Sequence, residues 1–163
     1  MSDQGPDDER MAVLRDEIDA VERAVLRHVD PGAKAVTVSV ALLALLVALV
    51  LPWIGPHNGL DVLRGTTDPA AQVGVLPRLF AGAAVGFGVV LSVLTLVLRR
   101  WGLVWASAFG CAYSTLDGMW SIWSRQTVEG AVEGTGPGVG MVLAAVAVLV
   151  LAVVWFRLAV TRE

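Results

Sequence analysis

The chain has 163 residues, 56% of them hydrophobic and 17% charged, with a net charge of −3. So much apolar surface on one compact unit argues against a soluble globule, and the acidic balance gives no reason to expect a nucleic-acid partner. The lone cysteine, Cys111, excludes an internal disulfide and matches no zinc-ligand spacing, so neither metal nor cofactor is expected.

Residues 1–9 are polar and acidic. From Asp8 to Val29, Met11, Leu14, Ile18, Val21, Val25 and His28 recur at spacings of three and four, the pattern of an amphipathic helix. Acids fill its first turn, and Asp30-Pro31-Gly32 ends it. Residues 1–34 are therefore expected to form an acidic cytoplasmic tail. Its helix, over residues 8–29, is read as folding back on its own bundle, pairing with a second copy, or docking another membrane or cytoplasmic protein.

Residues 35–158 carry four apolar stretches. A hydrocarbon core of ~30 Å needs ~20 apolar residues in a helix. The expected spans are about 33–51, 77–98, 101–123 and 139–158. The first begins after more than thirty residues and precedes no small-residue cleavage site, so it is read as a retained anchor. The fold expected is all-α, a four-helix transmembrane bundle with both ends cytoplasmic and a short amphipathic cytoplasmic helix before it. Near the membrane, Arg23, Arg27, Lys34, Arg99, Arg100, Arg157 and Arg162 fall inside and only Arg64, Arg78 and Arg125 outside, the expected bias. All six tryptophans fall near a boundary and are read as interfacial.

Residues 52–76 are punctuated by Pro, Gly, Asn and Asp and are read as a turn-rich outer loop. His57, Asp61 and Asp68 within it match no metal-ligand motif. Residues 124–138 form a second, Gly-rich outer loop. Its glycines lack the Lys and Ser/Thr of a phosphate loop, and Glu129 and Glu133 are read as a solvated pair. Residues 159–163 form a cytoplasmic tail.

Gly82 and Gly86 make a GxxxG, extended by Gly88. With Gly110 and Gly118, they are the glycines expected to let helices approach closely. The third span is the least generic. Ser107, Cys111, Ser114, Gly118 and Ser121 give it one face of small or weakly polar groups, and Asp117 borders that face. Asp117 lies eight residues before Arg125, ~12 Å along a helix, in the outer third of the bilayer. A carboxylate there calls for a partner, and Arg78, with Ser114 and Ser121, is the candidate set.

One local motif adds a family resemblance. Leu51-Pro52-Trp53-Ile54-Gly55 is followed by Gly59-Leu60-Asp61-Val62-Leu63-Arg64-Gly65. With the four-pass topology, this resembles small conserved membrane proteins of mycobacteria and related actinobacteria. The resemblance implies a plasma-membrane protein, mostly of uncharacterised function, and carries no catalytic residues. Without a nucleophile–base pair or cofactor fingerprint, the sequence is read as a non-enzyme: a structural or accessory membrane protein whose partners are the bilayer and other proteins. The alternative is a small transporter or channel subunit that uses Asp117 as a proton- or ion-linked carboxylate.

Overall fold

The computed structural model describes residues 31–67, 73–127 and 136–161. The chain divides into two units, residues 1–34 and residues 35–163. The expected amphipathic helix over residues 8–29 lies outside the described residues, as do Asp68, Glu129, Glu133 and Arg162. Five helices and one short hairpin make up the described chain. They are α1 (Pro31–Val50), β1 (Pro52–Ile54), β2 (His57–Asn58), α2 (Gly59–Arg64), α3 (Val75–Leu98), α4 (Trp101–Gln126) and α5 (Val139–Val160).

The protein is thus mostly helical. Two of the helices, Val75–Leu98 and Val139–Val160, are long and apolar enough to cross a membrane. The apolar part of α1, Ala35–Val50, is shorter. α4 is long, but its serines and Asp117 dilute its apolar character. The core is built from Val38, Leu45 and Ala48 of α1, Phe80, Ala81 and Ala84 of α3, Ala108 and Cys111 of α4, and Met141, Ala144, Val148 and Leu151 of α5. Small residues dominate it, so the helices meet at short range and dispersion supplies much of the cohesion. Many large apolar side chains are exposed, among them Val40 and Leu43 on α1, Val97 on α3, Phe109 and Leu116 on α4, and Leu149 on α5.

α3 and α4 are joined by Arg99 and Arg100 alone. Arg99 adopts the left-handed conformation, with φ 49°, that lets a chain reverse after a helix; a residue with a Cβ takes it at some steric cost. Within α3, residues Ala84–Leu91 form a π-helix, a geometry that sequence periodicity does not announce.

The segment read as an outer loop is partly regular. β1 and β2 pair antiparallel around Gly55-Pro56, with Gly55 at φ 55° at the first central position, where glycine is favoured. α2 then starts on a capping box: Asn58 Oδ1 accepts from the Asp61 backbone N–H at 2.9 Å, and the Asn58 N–H donates to Asp61 Oδ2 at 3.2 Å. Gly65, at φ 72°, closes the helix. Asp61 is therefore used locally, and no group of metal-ligating side chains occurs among the described residues.

The hairpin is anchored to α5. The Gly138 N–H donates to the Trp53 carbonyl at 2.7 Å, and Ile54 bridges to Pro137. Trp53 is fully buried, stacks on Phe80 at 5.1 Å, and donates from Nε1 to the Ala48 carbonyl at 2.8 Å. Trp155 is 3% exposed and donates from Nε1 to Ser92 Oγ. These two tryptophans are core residues, which corrects their reading as interfacial. Each satisfies its indole N–H inside the protein, so neither needs water there. Trp101, Trp120 and Trp123 are exposed.

Candidate functional site

The buried polar groups concentrate on one face of α4. Ser107, Gly110, Cys111, Ser114, Asp117, Gly118, Ser121 and Arg125 are all buried and follow one another at steps of one to four residues along one stripe. The stripe has two halves with different hydrogen bonding.

In the first half every polar group has a partner. Thr95 Oγ1 of α3 lies 2.7 Å from Ser107 Oγ and 2.7 Å from the Leu91 carbonyl. Each hydroxyl has one hydrogen, so if Thr95 donates to Leu91, Ser107 donates to Thr95. Cys111 Sγ donates to the Phe87 carbonyl at 3.6 Å, and Ser92 Oγ donates to the same carbonyl at 3.3 Å while accepting from Trp155. The π-turns of α3 thus present two carbonyls, Phe87 and Leu91, to side chains of α3 and α4. This ties α3, α4 and α5 together. Thr95 and Ser92 went unnoticed in the sequence because each is an isolated polar residue in an apolar run.

In the second half three of the polar side chains leave an oxygen without a partner. Ser114 Oγ, Asp117 Oδ2 and Ser121 Oγ are buried without a hydrogen bond. The helix brings these three expected residues onto one face, as their spacing requires. Arg78 does not join them: no hydrogen bond or ion pair links it to Asp117, and its guanidinium lies beside Gly65, 3.6 Å from where a Cβ on that glycine would sit. α2 and its C-cap thus occupy the arginine that the sequence offered to Asp117. An uncompensated carboxylate is costly in such a place. Asp117→Asn is therefore expected to raise stability by about 1 kcal/mol, read as a higher melting midpoint at pH 8. A lower midpoint would mean that the carboxylate has a partner.

The packing glycines separate in the same way. A Cβ at Gly110 would lie 2.5 Å from Phe87 Cδ1, one at Gly118 2.7 Å from Phe80 Cε2, and one at Gly88 2.6 Å from Leu45 Cδ2. These three sit where helices touch. Gly82 has only Leu63 nearby, at 3.8 Å, and Gly86 has nothing within 4 Å, so the GxxxG pair is not where α3 meets a neighbour closely.

Fold and site together define a bundle of long helices with an apolar exterior and an internal polar seam. Over residues 15–163 the chain matches the MiaB C-terminal domain, and it belongs to that family. It is 44% identical over 161 residues to the tRNA-2-methylthio-N(6)-dimethylallyladenosine synthase of Mycobacterium avium (strain 104). The match covers 98% of this chain and 22% of that protein, so the chain spans about a fifth of its curated relative. No solved structure matches.

The family corrects three readings of the sequence. The Leu51–Gly65 resemblance to small uncharacterised four-pass proteins gives way to the MiaB C-terminal domain. The reading as an integral plasma-membrane protein with a structural or accessory role, with a small transporter or channel subunit as alternative, gives way to a domain of a tRNA-modifying enzyme's family. The reading as a non-enzyme falls for the same reason, since the curated relative is a synthase. The seam offers no chemical signature that could have shown this. Hydroxyls, a thiol and one carboxylate on a helix face are common to many bundles.

Proposed function

We propose that this chain takes part in forming 2-methylthio-N(6)-dimethylallyladenosine in tRNA, as the bilayer-seated domain of that enzyme system. The observation that carries the reading is the family membership over residues 15–163 together with the exposed apolar exterior of α1, α3, α4 and α5. Side chains such as Val97, at 74% exposed, and Phe109, at 64%, are stable in contact with lipid and unfavourable in water. In this reading α1, α3, α4 and α5 are four plasma-membrane spans. Both chain ends then face the cytoplasm, the side on which tRNA is found and on which the basic residues predominate.

The test has two arms in cells that carry the full chain. Reporter tags at residues 1 and 163 are expected to be cytoplasmic, with the chain in the carbonate-resistant membrane fraction. Deleting the chain is expected to lower the 2-methylthio-N(6)-dimethylallyladenosine content of tRNA several-fold, measured by mass spectrometry of digested tRNA. A chain recovered in the soluble fraction, or an unchanged nucleoside content, would overturn the proposal.

A further inference from the structure

A groove of about 320 Å³ lies between α4 and α5, lined by Ala108, Ala112, Ala152, Val153, Phe156 and Arg157. Three alanines keep its walls low, and Phe156 stands at one side against Trp105, ring edge to face at 6.2 Å. The only polar wall residue is Arg157, which is exposed. Trp105 Nε1 is a buried N–H donor without a partner. Arg99 and Arg100 are exposed at the same end of the bundle, since Thr95 and Ser107 meet just inside that turn and Trp155 reaches Ser92. The acids among the described residues are Asp61, in α2 at the other end, and Asp117, four turns along α4 from Trp101. Among the described residues no acid stands at this end of the bundle.

We infer that the groove binds one anionic phospholipid, with an acyl chain along Ala108, Ala112 and Ala152 and the phosphate on Arg157. The occupant follows from charge complementarity. An apolar channel ending in a guanidinium fits a molecule with a hydrocarbon tail and an anionic head, and a guanidinium pairs with phosphate through two parallel N–H donors. The second groove, on α1, makes the contrast. It is lined by Leu46, Val47, Val50 and Leu51, has no charged residue, and gives no reason to select a headgroup. The inference rests on the bilayer reading above and adds a specific lipid site to it.

The experiment uses the full chain in vesicles of equal parts phosphatidylglycerol and phosphatidylcholine, then native mass spectrometry of lipids retained in mild detergent. The wild-type chain is expected to retain phosphatidylglycerol about fivefold over phosphatidylcholine, the size of one basic contact to an anionic headgroup. Arg157→Gln should abolish that preference without altering the melting midpoint, because the side chain is exposed. Ala152→Leu should reduce retention of both lipids by filling the groove, and Val50→Leu, in the α1 groove, should change nothing. Equal retention of the two lipids by the wild type overturns the inference, as does a preference that survives Arg157→Gln. Displacement of the lipid by millimolar inorganic phosphate would assign the arginine to a soluble anion and also overturn it. A chain that never enters vesicles overturns the bilayer reading itself, whereas one that enters without headgroup preference overturns only this site.

Discussion

Gly140→Ala is expected to cost about 3 kcal/mol, at the upper end of what overpacking usually costs. A Cβ there would lie 2.8 Å from the Ala48 carbonyl, 2.8 Å from the Leu51 carbonyl and 2.8 Å from Trp53 Cδ1. Two of the three obstacles are backbone oxygens at the end of α1, which cannot swing aside as a methyl tip can. Gly138, two residues earlier, is pressed against the backbone of Pro52 and Trp53 in the same way. Gly86→Ala is the control. It meets nothing within 4 Å, and alanine favours a helix over glycine by about 1 kcal/mol, so it should raise stability slightly. Melting of the purified proteins, followed by circular dichroism, compares the two. If Gly140→Ala melts with the wild type, the close seating of α5 on the end of α1 is not as described.

Trp53→Ala should be at least as damaging, with a loss of about 3–5 kcal/mol. The side chain is fully buried, stacks on Phe80, and packs against Gly59 and Gly140. Its Nε1 also satisfies the Ala48 carbonyl, one of the last-turn carbonyls of α1 that have no partner in the helix. Trp53→Phe separates the two contributions. It keeps part of the ring and loses the hydrogen bond, so it should cost about half as much or less. Equal losses for Phe and Ala would show that the hydrogen bond, and not the ring volume, dominates.

The helices were legible because apolar runs near the right length have few other solutions. The stretches read as spans at 33–51, 77–98, 101–123 and 139–158 lie over helices Pro31–Val50, Val75–Leu98, Trp101–Gln126 and Val139–Val160. The hairpin was not legible. Its strands are three and two residues long, and what holds them is Gly138 and Pro137, about eighty residues away. Trp53 and Trp155 misled for a related reason. A tryptophan beside an apolar run reads the same whether its N–H meets water or a carbonyl across the core. On α4, spacing alone put Ser114, Asp117 and Ser121 on one face, because that relation lies within one helix. The partner of Asp117 could not be read so, since α2 and Gly65 decide where Arg78 goes. The family was out of reach because no residue here bears a signature of tRNA modification.

The two-arginine turn between α3 and α4 has a consequence for biogenesis. In the bilayer reading, α4 is the arm least able to partition into lipid by itself, yet no linker lets it wait in water once α3 is in place. The pair must then enter as one folded hairpin, with the leading apolar arm carrying the polar one across. Lengthening that turn with a flexible spacer would uncouple the arms and leave the serine-rich arm stranded outside.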